Sequence, residues 1–156
     1  MNTIRPFLWF DGSAREAARH YLEVFDDAEL LEGTFERPEG EPNPTWSATK
    51  IRIGELELML FDGGPQFPFT EAVSLFVPCE TQEEVDRLWG ALSEGGAPGR
   101  CGWLTDRFGV SWQIVPTMLA DVLGDPDPVK AAAAQTAMMS MTRLVIADLL
   151  AARDSA

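Results

Sequence analysis

Side chains able to do chemistry are sparse in this 156-residue chain: one histidine, His20, and two cysteines, Cys79 and Cys101. The cysteines make no metal motif, and two of them do not build a disulfide framework. Cys101, beside Gly102, could be a reactive thiol only with a neighbour that lowers its pKa, so the inert reading is favoured. Asp62 and Asp106 adjoin glycine-containing loops. They could act as acid or base there, although holding a turn is the commoner task for such an aspartate. His20 stands near Glu16, away from the apolar positions of its predicted helix, and reads as a solvated residue. Twelve Lys and Arg oppose 25 Asp and Glu, a net charge of -13 that repels phosphate backbones and disfavours nucleic acid. The acidic excess otherwise reads as a solvated surface.

The elements that must position these groups come in two similar sets. Pro6–Phe10 is a short apolar strand candidate, and Asp11-Gly12 turns the chain. Ser13 with Glu16 has the spacing of a capping box, and Ala14, Ala17, Ala18, Tyr21 and Phe25 recur at helical intervals. The pattern returns with a strand at Val73–Val77, a box at Thr81 and Glu84, and an apolar face of Val85, Leu88, Trp89 and Leu92. Gly95-Gly96 ends that second helix. Leu30–Phe35 reads as a further strand, with Cys101–Leu104 in the comparable place of the second set. Hairpins follow around Gly54 and Gly109, and aligning these glycines sets the repeat offset at 55. The spacing predicts two βαβββ modules in an α+β fold, with module one at 1–64 and module two at 70–116.

Residues 117–156 read as a helical extension of the same single domain, 1–156. Thr117–Leu123 is a short helix candidate. Asp127 caps and Pro128 opens the next one, and Ala131–Met141 and Leu144–Ala152 are rich in helix formers. No apolar run reaches the roughly 18 residues that span a bilayer, and the first residues lack a signal-peptide pattern. A cytoplasmic protein without membrane partners is expected.

Three stretches are more specific than the plan. Trp9-Phe10-Asp11-Gly12, Phe61 to Phe67, and Cys101 to Pro116 resemble the PhnB-like family, also labelled 3-demethylubiquinone methyltransferase-like. That family lies in the vicinal oxygen chelate superfamily of glyoxalase I and the bleomycin-resistance proteins. Asp125 to Pro128 and the helices after it resemble the family too. Metal-dependent relatives supply four cavity-facing ligands, and carrying those positions across gives about Pro6, Leu58, Val73 or Ser74, and Gln113. Leucine and proline offer no side-chain donor, so no metal of that type and no cofactor is expected. A glycine-rich turn of the nucleotide-cofactor kind is missing as well.

Strand alternation places Leu8, Phe10, Leu58, Leu60, Gln113 and Val115 on one side of their sheets, and the resemblance implies that this side faces the cavity. Phe7, Trp9, Met59, Phe61, Trp112 and Ile114 would then pack on helices. Trp103 and Phe67 could wall the mouth; Trp46 and Phe69 are further aromatics of note. Leu8, Phe10, Leu58, Leu60, Phe67, Trp103 and Gln113 are thus the expected cavity lining, with no catalytic residue assigned. The expected function is metal-free binding of a small apolar or aromatic metabolite. The alternative is an enzyme of the same fold, methyltransferase-like by the family label or glyoxalase- or dioxygenase-like, acting on a small molecule. The apolar helices after Asp127, with Met138, Met139, Met141, Leu144, Leu149 and Leu150, predict a homodimer.

Overall fold

The computed structural model describes residues 4–33 and 48–156. Trp46 and the Pro38–Pro44 loop lie outside them. The chain divides into two compact units, Met1–Phe69 and Thr70–Ala156. Each unit carries its own sheet, helix and core.

In the first unit, β1 (Phe7–Phe10) leads into α1 (Ala14–Val24), then β2 (Ala28–Glu32), β3 (Ala48–Ile53) and β4 (Leu56–Asp62). The sheet order is β1-β4-β3-β2, with β1 parallel to β4 and the remaining neighbours antiparallel. In the second unit, β5 (Leu75–Cys79), α2 (Gln82–Ser93), β6 (Ala97–Pro98), β7 (Trp103–Thr105) and β8 (Ser111–Pro116) repeat that order as β5-β8-β7-β6. The two βαβββ modules are therefore present. One detail shifts: β7, expected opposite the strand after α1, is the counterpart of β3, and the two-residue β6 stands where β2 does. Pro78 sits within β5, where an edge strand tolerates a residue without an N–H.

The two module helices start differently. Thr81 caps α2 as expected, accepting from the Glu84 N–H, while Glu84 accepts from the Glu80 N–H one residue early. Ser13 makes no side-chain cap on α1. The carboxylate of Asp62, at the end of β4, accepts the Ala14 N–H at 2.8 Å instead. His20 is another correction: at 8% exposure it is buried beside Tyr21, not solvated.

After β8 come α3 (Leu119–Leu123), α4 (Pro128–Ser140) and α5 (Ile146–Asp154), with Asp127 capping α4 through the Val129 N–H. Their apolar side chains find partners inside the second unit. Leu144 and Leu149, both fully buried, pack with Val115, and Leu119, Met138 and Met141 join them. That packing occupies Leu144, Leu149, Met138 and Met141 within the second unit, while Val129 and Met139 stay exposed. No helix among the described residues is long and apolar enough to cross a membrane.

Candidate functional site

Asp62 reports which face of the first sheet lies under the helix. It shares the even-numbered side of β4 with Leu58 and Leu60, and it bonds the first residue of α1. Register then places Leu8, Phe10, Ile51 and Thr49 on that same side, and all are buried. Leu8, Phe10, Leu58 and Leu60 therefore form the sheet–helix core, not a cavity wall. Phe69 joins it, edge-on to Phe10 at 5.0 Å.

Among the described residues of this unit, no helix lies on the other side of the sheet, which is aromatic and ionic. Trp9 packs edge-on against Phe61 at 5.1 Å and against Phe67 at 5.1 Å, while Phe7 lies 5.3 Å from Phe61. The Trp9 indole N–H donates to the Gly64 carbonyl at 2.8 Å. A Cβ on Gly63 would lie 2.1 Å from the indole ring, so the ring's seat requires glycine. Phe7 and Phe67 are 51% and 64% exposed, leaving two ring surfaces open to a ligand.

Beside the rings stand cross-strand ion pairs: Arg5 with Glu57, Lys50 with Glu32 at 2.5 Å, and Arg52 with Glu29. The Arg5 guanidinium bonded to Glu57 holds that carboxyl below its ordinary pKa, and the charges of Lys50 and Arg52 act in the same direction. Glu57 is thus kept ionised and engaged, which suits a structural anion better than a proton donor.

In the second sheet, Trp112, Ile114 and Leu104 are buried on the α2 side, as the sequence implied for the first two. Phe76, Gln113 and Trp103 are register partners across three strands and share the opposite side. Phe76 is 58% exposed, and Gln113 and Trp103 are half-buried. The Gln113 amide donates to the Ser74 hydroxyl at 2.8 Å, which partly satisfies it internally.

The structure thus brings Gln113 and Trp103 together and sends Phe67 to the open side of the other unit. The sequence reading missed Phe7, Trp9, Phe61, Glu57 and Phe76 as open-side residues. Strand alternation held the signal, but in the first module it was assigned to the wrong side.

Asp106 and the two cysteines are engaged in the fold. One Asp106 carboxylate oxygen accepts the Phe108 and Val110 N–H groups at 2.9 and 3.0 Å; the other accepts the Trp112 indole N–H at 2.9 Å. This aspartate builds a turn. Cys79 is buried, and burial pushes its thiol up to about 11, aided by the nearby Glu84 charge. Cys101 donates weakly toward the Met138 carbonyl at 3.6 Å, with the Met139 sulfur 3.7 Å away.

The family-type divalent ion does not fit these donors. On β1 and β4, the first sheet's open side presents Phe7, Trp9, Met59 and Phe61 with one carboxylate, Glu57, already bonded to Arg5. The second presents a phenyl group with an amide and a hydroxyl bonded to each other. Among the described residues, no group of three His, Cys, Asp or Glu could hold a metal.

Two four-stranded βαβββ sheets define the glyoxalase/bleomycin-resistance fold of the vicinal oxygen chelate superfamily. Residues 2–115 match the family described as 3-demethylubiquinone-9 3-methyltransferase. The chain belongs to this family. It is similar to a putative 3-demethylubiquinone-9 3-methyltransferase, PhnB protein, from Bacillus cereus, at 32% identity and a TM-score of 0.66; the match covers 74% of this chain and 100% of that one. Protein PA1353 from Pseudomonas aeruginosa shares 27% identity over 74% of this chain and 98% of its own, with a TM-score of 0.59. The fosfomycin resistance protein FosX from Mesorhizobium loti shares the fold at 13% identity and a TM-score of 0.54, covering 79% of this chain and 97% of that one. Among curated proteins there is no significant sequence match. The family match stops at Val115, so it does not include Asp125 to Pro128 or the helices after it, as the local resemblance had implied.

Proposed function

We propose that the chain binds a small, flat, apolar or aromatic molecule without a metal, on the sides of its sheets opposite α1 and α2. One observation carries this reading: Phe7 and Phe67 stay exposed around a Trp9 ring that is fixed by a hydrogen bond and by Gly63. Rigid aromatic walls bury ring surface at low entropic cost, and a few oriented polar groups complete such a site. Arg5, Lys50 and Arg52 already face carboxylates, so this side offers ring contact rather than spare charge. The family's description names a demethylubiquinone, a ring of the same class. A methyl transfer would also need a donor site and an acid–base pair; Asp62, Asp106 and Glu57 are committed elsewhere, so binding is preferred over catalysis.

The test is titration of the full chain with 1,4-naphthoquinone, followed by tryptophan quenching and calorimetry. Binding is expected in the wild type. Phe67→Ala and Phe7→Ala should each weaken it by ~0.5–1.5 kcal/mol, the worth of an aromatic contact beyond simple area. Binding that ignores both substitutions, or no binding at all, would sink the proposal. A homodimer in the cytoplasm belongs to the same reading, now on the narrower ground that Val129 and Met139 stay exposed on α4. Light scattering of the titrated sample separates dimer from monomer.

A further inference from the structure

Val115 lies on the same side of β8 as Gln113, two residues further along, or about 6.6 Å at roughly 3.3 Å per residue. Gln113 is half-buried there, whereas Val115 is covered by Leu144, Leu149, Leu119, Met138 and Met141. The covering segment lies beyond the family match, which ends at Val115. It therefore reaches over one end of the open side of the second sheet.

Its attachment is specific. The Gln82 side chain bridges the α4–α5 connection on both polar faces, donating to the Leu144 carbonyl at 3.1 Å and accepting the Ile146 N–H at 2.8 Å. A single amide thereby replaces two peptide partners, in the manner of a paired strand. One helical turn along α2, Asp86 meets Arg143 at 3.3 Å. On the other flank, the Cys101 and Gly102 N–H groups donate to the Met141 and Thr142 carbonyls at 2.9 and 2.7 Å. Leu144 packs over Gly102, where a Cβ would come within 3.1 Å of its Cδ1.

We propose that residues 141–146, with α4 and α5, form a strap that closes the Val115 end of the ligand-facing side of the second sheet, and that Gln82 is its latch. The proposal rests on the reading that this side receives ligand. With the latch made, a ligand near Gln113 and Trp103 meets a wall at Val115; with it released, the open side lengthens toward Pro116. Gln82 lies at the first turn of α2, so its amide can let go without unwinding the helix behind it.

Hydrogen–deuterium exchange on the full chain tests the latch without any native ligand. In Gln82→Ala, amides of residues 141–154 and of Gly102 should exchange at least tenfold faster, while those of Val85–Leu92 and β8 keep their protection. Anilinonaphthalene sulfonate fluorescence should rise several-fold as Val115 and Leu144 are uncovered. Gln82→Glu keeps an acceptor for Ile146 but loses the donors to Leu144 and Asp86 and sets two carboxylates one turn apart, so it should loosen the strap at least as much as Gln82→Ala. Unchanged exchange in 141–154, or loss of protection spread equally through α2 and β8, overturns the proposal. Where the wild type binds 1,4-naphthoquinone, an affinity unchanged within twofold in Gln82→Ala overturns the closure role even if the strap moves. Absence of naphthoquinone binding in both proteins counts against the ligand reading, and exchange and dye binding then decide the strap alone.

Discussion

The β3–β4 hairpin turns through two residues, Gly54 and Glu55, whereas the β7–β8 hairpin turns through five, Asp106 to Val110. In both, a glycine with positive φ stands two residues before the returning strand, at +56° for Gly54 and +90° for Gly109. Yet β3 enters its turn from Ile53 on the helix side, and β7 enters from Thr105 on the open side. The returning strands therefore begin on opposite faces. Aligning the glycines sets Leu58 over Gln113, although Leu58 lies on the helix side of its sheet and Gln113 on the open side. A slip of one residue exchanges every inward side chain for an outward one. Turn length, more than the glycine, fixes which residues reach the open side.

The largest expected effect tests that face assignment directly. Leu58 is fully buried under α1, and Leu→Ala at such a site costs about 2–5 kcal/mol through lost transfer energy and the cavity left behind. Gln113→Ala, at the position the glycine alignment pairs with it, should cost about 1 kcal/mol for one neutral hydrogen bond to Ser74. Urea denaturation of the two variants measures both. If Leu58→Ala is the milder of the two, Leu58 does not belong to the core and the open side has been misplaced.

The module plan was legible because it depends on local signals. Apolar residues at helical spacing, the Thr81 box and the Asp127–Pro128 start all act within one or two turns of chain, and each recurs in the structure. The open side was less legible because parity must be carried through a turn whose length is set by Asp106, and that aspartate acts by gathering Phe108, Val110 and Trp112. The fate of the C-terminal apolar residues was not legible either. Leu144 and Leu149 find Val115 across roughly thirty positions of sequence, and no periodicity within α4 or α5 announces that partner. Gln113 beside Trp103 was readable, since both lie on strands that pair through a hairpin already visible in the sequence.

The smallest effect sharpens the contrast between the two helix starts. Ser13 and Thr81 occupy the same place in their modules, and sequence spacing gives them the same role. Thr81 performs it from within its own helix. At α1 the role has passed to Asp62, 48 residues away, so capping and sheet–helix docking become one interaction. Asp62→Ala should destabilise the first unit by about 1 kcal/mol or somewhat more, the usual worth of a cap, with the penalty raised by the burial of the Ala14 N–H. Ser13→Ala should cost less than about 0.5 kcal/mol, because no side-chain bond is lost. Thr81→Ala should cost about 1 kcal/mol, like a conventional cap. Thermal denaturation of the three variants gives the ranking. Equal losses for Ser13→Ala and Thr81→Ala would mean that α1 is capped locally, and that the Asp62 contact does not tie the helix to the even-numbered face of β4.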